Sequence, residues 1–147
     1  MFTNNDTLLG KAESNLFAAE TVLQASTDDS VVNIAAYHVQ QAVELSLKHV
    51  LECSGIKYPH THAIEDLVDL LPEEAEYIAE LIGDAAYMFT SWEAKTRYVK
   101  GFSVSLKRVQ QGMRKATELI AEISAYTGTT PGAQDSISSF VPTLKLD

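Results

Sequence analysis

The sequence predicts an all-α fold, an antiparallel up-and-down bundle of four to five helices, and three observations predict it. Apolar residues recur at intervals of three and four through most of the 147 residues, the spacing that lines one face of an α-helix. Only seven Gly and four Pro are present, gathered at a few places, so long stretches can run as uninterrupted helix. A chain of this size buries roughly 68–70% of its unfolded surface, enough for one hydrophobic core without staples. One domain is expected over residues 1–128, followed by a flexible tail over 129–147.

The first helix is expected over 6–26, where Leu8 or Leu9, Ala12, Leu16, Ala19 and Leu23 keep the period. Thr27, Asp28, Asp29 and Ser30 make a turn. The second helix, 31–54, carries Ala36, Val39, Val43, Leu47 and Val50 on one face and Ile34, Ala35, Ala42 and Leu45 on another, which suits a central helix packed on more than one side. Its polar strip of Gln40, Glu44, Lys48 and Glu52 steps by four, so neighbours can pair along the surface. Gly55 is placed to stop this helix in the left-handed conformation.

Tyr58 to Thr61 connect to a short helix with Ile64, Leu67, Val68 and Leu71 inward. Pro72 ends it, and the fixed φ and missing N–H of proline also suit the first position of a new helix. That fourth helix, 73–90, buries Ile78, Leu81 or Ile82, Ala85 and Phe89, with Glu73, Glu74 and Glu76 at its positive end. Residues 91–102 read as a loop. Ser103 then caps a final helix, whose Leu106, Val109, Met113, Ala116, Ile120 and Ile123 form a seam suited to near-parallel or antiparallel packing. It closes at Gly128. The tail is rich in Ser, Thr, Pro and Gly, with Phe140, Val141 and Leu144 as its docking point if it is not simply a disordered end. The broad apolar surface of the second helix and the seam of the last predict a homodimer.

Charge narrows the function classes. A net charge of −9 opposes wholesale attraction to nucleic acid, since sequence-independent affinity for phosphates comes from Lys and Arg. The charge is segregated, however: between Glu65 and Glu93 stand nine acidic residues and no basic one, and between Lys95 and Lys115 seven basic residues and no acidic one. A single cysteine, Cys53, makes no internal disulfide, and the first six residues lack the layout of a signal peptide. No apolar run approaches the roughly 18 residues of a membrane span. A cytoplasmic location without membrane insertion is therefore expected.

Four histidines invite a metal or catalytic role. His38 and His49 are eleven residues apart, on one helix face but roughly 16 Å apart along the axis, so they cannot share an ion. Partly buried bundle histidines are expected at both. His60 and His62 have no Cys or carboxylate cluster at zinc-site spacing; the structural expectation is that His62 caps the short helix and packs beside Tyr58. Cys53 is expected to be an inert core residue. No metal and no cofactor are expected.

In the basic segment, Lys95, Arg97 and Lys100 precede the expected last helix, and Lys107 and Arg108 lie about one turn inside it. Cations at the positive end of a helix need compensation. Either a phosphate or other anion supplies it, with Tyr98, Phe102 or Trp92 offering a ring for a base to stack on, or these cations pair with the acidic fourth helix.

Three motifs stand out together: Tyr37-His38-Val39-Gln40-Gln41-Ala42-Val43-Glu44 with Lys48, His62 five residues before Leu67, and Thr96-Arg97-Tyr98 before the last helix. On these, and over residues 6–128, the chain resembles the HEPN family of small helical bundles. The resemblance implies frequent homodimerisation and, in many relatives, an operon partner of the minimal nucleotidyltransferase type in toxin–antitoxin or related systems. Ribonuclease members place a His four to six residues beyond an Arg. Here Phe102, Ser103 and Val104 follow Arg97 at that distance, Met113, Arg114 and Lys115 follow Arg108, and Leu119, Ile120 and Ala121 follow Arg114; no histidine occurs after His62.

The expectation is therefore a non-catalytic dimeric module that binds a nucleotide, an RNA or a nucleotidyltransferase partner through Lys95, Arg97, Tyr98, Lys100, Lys107 and Arg108, with His38, Gln41, Glu44, Lys48 and His62 in support. The alternative is a ribonuclease in which His38 or His62 replaces the missing histidine. A histidine within about 7 Å of Arg97 in the dimer favours the enzyme, and wide separation favours the binding module.

Overall fold

A computed structural model describes residues 5–128, and the described residues form six α-helices without a strand. The docking point expected at Phe140, Val141 and Leu144 lies outside them. α1 (Leu8–Ala25) starts where Thr7 accepts the Gly10 N–H at 2.9 Å, filling one of the orphan donors of a helix start. α2 (Asp29–Cys53) is the central helix, in contact with α1, with α5 (Ala85–Tyr98) and with α6 (Leu106–Thr127). It ends as expected at Gly55, at φ 70°, where the Ile56 N–H reaches the Leu51 carbonyl and the Gly55 N–H that of Glu52. That pair of bonds needs the left-handed residue which glycine supplies at no steric cost.

The expected fourth helix is three pieces. Pro72 opens a 3-10 turn at Glu73–Ala75, α4 covers Glu76–Ile82, and Gly83 at φ 52° breaks the chain before α5. A side chain at that φ is strained, so the break falls where only glycine fits. The loop expected over 91–102 is wrong over most of its length, because α5 continues to Tyr98. Its inward face holds Phe89, Trp92 and Glu93, a mixture of aromatic and charged side chains that does not read as apolar periodicity. The cap of α6 is Ser105, accepting from the Arg108 N–H at 3.2 Å, and not Ser103. α3 (Ile64–Asp69) is not capped by His62; the Ile64 N–H donates instead to Thr90 Oγ1 on α5 at 2.8 Å, and that hydroxyl donates on to Glu65.

α1 and α2 pack along each other, and α5 approaches α6 at Gly112. A Cβ there would come within 3.0 Å of the Trp92 ring and 3.2 Å of Phe89. Asn33 ties α2 to the start of α6, donating to the Phe102 carbonyl at 2.9 Å and accepting from the Val104 N–H at 3.0 Å. Most of the apolar faces of α2 and α6 is taken up within one chain: Ala36, Val39, Val43, Leu47 and Val50, like Val109, Ala116 and Ile123, are fully buried, while Leu45, Leu106 and Met113 are partly buried. Ile34, placed on a packed face by its spacing, is 49% exposed, and the other large exposed apolar or aromatic residues among those described are Phe17, Tyr77, Tyr87, Tyr98 and Val99. No described helix is long and apolar enough to cross a membrane.

Among the described residues, one buried side-chain oxygen is uncompensated. Glu13 on α1 has a buried Oε1 without a hydrogen-bond partner, and burial pushes its carboxyl from 4.5 up to about 7. The raised value favours the folded state fully below pH 4.5, and that advantage is lost as pH rises to about 7. Glu13→Gln is expected to flatten this decline and to stabilise the protein by about 1–2 kcal/mol at pH 8, after allowing for the water that still reaches the side chain. Thermal melts of both proteins at pH 5 and pH 8 check it: an equal gain at both values would mean that ionisation is not the cause.

Candidate functional site

The polar strip of α2 is not a surface strip. Gln40 is wholly buried and Glu44 is 3% exposed, because α3 and α5 close over them. Glu44 is the hub: Lys48 donates to Oε2 at 2.9 Å, Gln40 Nε2 to Oε1 at 2.9 Å, and His62 Nδ1 lies 3.1 Å from Oε1 and 3.3 Å from Oε2. Gln41 in turn donates to Gln40 at 2.8 Å. Burial alone would push the Glu44 carboxyl up, but the hydrogen bonds from Lys48, Gln40 and His62 and the charge of Lys48 outweigh it and hold it below the usual carboxylate range. An ionised carboxylate only accepts, so the network assigns the proton of a neutral His62 to Nδ1. Nε2 is then left with its lone pair.

Facing it is a second carboxylate, Glu93 on α5. His62 Nε2 lies 4.0 Å from Glu93 Oε2, and the same oxygen receives Arg97 Nη2. Arg97 further donates through Nε to the Glu93 carbonyl at 3.0 Å and through Nη1 to Tyr98 Oη at 3.2 Å. Its guanidinium sits 5.0 Å from the Tyr37 ring centroid and 4.8 Å from that of Tyr98, at stacking and cation–π range. Lys48 lies 5.6 Å from the Tyr58 ring. The floor is dry and the rim wet: the Lys48 side chain is 12% exposed, whereas those of Arg97 and His62 are 38% and 50% exposed.

Of the residues singled out from sequence, Arg97, Tyr98, Glu44, Lys48 and His62 meet here, with Gln41 at the edge. The others do not. Lys95 and Arg97 stand in the last turn of α5, where positive charge favours the helix dipole, so they do not precede a helix start. Lys95 turns toward Phe102, 6.0 Å from its ring. Lys100 is exposed in the connection, Lys107 and Arg108 are exposed in the first turn of α6, and Arg108 reaches only Met88 Sδ at 4.0 Å. Trp92 is 2% exposed and has no free face for a base. The expected pairing with the acidic fourth helix does not form among the described residues: Lys115 donates to the Leu81 carbonyl at 2.8 Å, and Arg97 pairs within its own helix.

His38 is turned to α1, with Nδ1 2.8 Å from Asn15 Oδ1, and burial lowers its pKa. His49 is buried at the far end of α2, its pKa lowered chiefly by burial, with Nε2 3.5 Å from Cys53 Sγ and from Thr127 Oγ1. Cys53 is exposed rather than a core residue, and burial of its thiol and the nearby Glu52 push its pKa up, away from the thiolate that reactivity needs. Among the described residues no three His, Cys, Asp or Glu gather to hold a metal ion.

Sequence reasoning missed Glu93, Tyr37 and Gln40 as site members. Glu93 carried a signal, standing four residues before Arg97 at the spacing of a helical ion pair, but only a continuous α5 makes it visible. A cavity of about 330 Å³ beside α1 and α6, lined by Leu16, Glu20, Gln110, Met113, Arg114 and Thr117, shares no residue with the cluster. Compared with known proteins, residues 6–126 match the family model of the HEPN domain. No curated relative and no solved structure matches the chain.

Proposed function

We propose a function on one premise: this chain belongs to the HEPN domain family, which makes it a nucleotide- or RNA-related module at family level. Its role is to bind the phosphate of a nucleotide or RNA at the rim formed by Arg97, His62 and Tyr98, without cutting it. The observation that carries this is the state of Arg97. A guanidinium has five N–H donors; three are engaged by Glu93 and Tyr98, and two remain on a partly exposed, stacked group. That is the geometry in which Arg holds a phosphate.

Homodimerisation and a nucleotidyltransferase-type partner from a toxin–antitoxin pair belong to the same proposal. The pairing surface would be the outer face of α5, where exposed Tyr87 and Ala94 share one line, in place of the buried faces of α2 and α6.

The separation that favours the enzyme is met within one chain, since His62 Nε2 and Arg97 Nη2 meet the same Glu93 oxygen and so lie within about 7 Å of each other, and this favours a second function, RNA cleavage. Glu44 orients His62 as a carboxylate orients a general base, and both His62 and Arg97 converge on Glu93. One titration separates the two. Purified protein is expected to bind a fluorescent single-stranded RNA with affinity that falls as salt rises, to lose about tenfold in affinity on Arg97→Ala, and to leave the RNA intact. Metal-independent cleavage abolished by His62→Ala would replace binding with catalysis as the function.

A further inference from the structure

The inference concerns Glu93 and rests on the phosphate-binding role of Arg97. An anion site that keeps a carboxylate against its arginine repels the ligand it is built to hold. Glu93 Oε2 is held by Arg97, at the place where an oxygen of a bound phosphate would find its N–H donors. With Lys48 matched by Glu44 and Arg97 matched by Glu93, the cluster offers a bare anion no net positive charge. A ligand gains there only if it satisfies Glu93 as well as Arg97. An ionised carboxylate can only accept hydrogen bonds, so the ligand must carry a donor close beside its phosphate.

Arg97 and Glu93 are held together by a side-chain and a backbone contact one helical turn apart, so the two free N–H groups and the acceptor are presented side by side. Glu93 is largely buried, its side chain 12% exposed, and Oε1 takes part in none of the contacts described above. A vicinal hydroxyl and phosphate match this pair. An RNA strand carries one at every linkage, in the 2′-hydroxyl next to the 3′-phosphate; DNA lacks it, and the 2′-hydroxyl is what allows a protein to tell the two apart. The exposed ring of Tyr98 leaves room for the adjoining base to stack.

We propose that Glu93 reads the sugar hydroxyl beside the phosphate, so that the site selects RNA over DNA. Three labelled single strands of one sequence, ribo, deoxyribo and 2′-O-methyl, are titrated against the full chain at one salt concentration by fluorescence anisotropy. The wild-type protein is expected to bind the ribo strand about tenfold more tightly than the other two, the scale of one hydrogen bond to a charged group. Glu93→Gln removes the repulsion, so the deoxyribo strand should gain affinity and the ratio fall to about twofold or less. Glu93→Asp keeps the charge but withdraws it by one methylene. It should also lose the preference, and it serves if circular dichroism shows the Gln variant unfolded.

Equal binding of ribo and deoxyribo strands by the wild type, with Arg97→Ala weakening both, overturns the role of Glu93 and leaves the phosphate site standing. A preference unchanged in both Glu93 variants does the same. Absence of binding to any strand, or binding indifferent to Arg97→Ala, removes the phosphate site itself and this inference with it.

Discussion

Replacing Glu44 with alanine is expected to cost about 3–5 kcal/mol of folding stability, the scale of breaking a buried ion pair by deleting one partner. The Lys48 side chain is 12% exposed and its ammonium donates to Glu44 at 2.9 Å. Without the carboxylate it is a charge held out of water, and Gln40 and His62 lose their acceptor in the same step. Urea unfolding should show a lower midpoint at unchanged slope. The cost should also depend on pH with a definite sign. Because the folded state holds the Glu44 carboxyl below its ordinary 4.5, its contribution is fully present above that value and is lost as pH falls through the folded-state value. Wild type and variant should therefore converge on acidification. A difference below about 1 kcal/mol at pH 7 would show that water screens the pair as it screens a surface one.

Phe89→Ala is expected to cost about 3–5 kcal/mol for a different reason, the loss of a buried ring and the cavity left behind. Phe89 is fully buried and meets Trp92 edge-on at 5.4 Å. The facing position on α6 is Gly112, which has no side chain to swing into the space. The two sites should couple. In the wild type, alanine at 112 meets rings at 3.0–3.2 Å and its gain in helix propensity of about 1 kcal/mol is opposed by overpacking. In the Phe89→Ala background part of that crowding is gone, so Gly112→Ala should be more favourable there than in the wild type. Strict additivity of the two changes in a denaturation cycle would refute the close approach of α5 and α6 at this point.

What the sequence shows plainly is the set of helices whose inward faces are apolar. The spans of α1, α2 and α6 are legible within a few residues because Leu9, Val39, Leu47, Val109 and Ile123 repeat at helical spacing between turn residues. α5 is not, because its inward face mixes Phe89 and Trp92 with Glu93, and a charged residue in a periodic pattern reads as solvent-facing. The same bias makes Gln40 and Glu44 look exposed. Their partner His62 lies 18 and more residues away along the chain, and nothing local announces that its imidazole will stand between two carboxylates, Glu44 and Glu93. The basic segment misleads in the opposite way. Lys95, Arg97 and Lys100 are neighbours in sequence, but successive residues of a helix point about 100° apart, so one meets Tyr37 while another turns to Phe102.

The bond from Ile64 to Thr90 sets the order in which the molecule can assemble. α3 has six residues, far below the length at which a helix holds itself together in water, and its first N–H finds its acceptor on α5, 26 residues downstream. α3 therefore has no independent existence. It forms as α5 docks, and the Ile64 amide should exchange with deuterium at the rate of α5 undocking rather than at the faster rate of a fraying helix end.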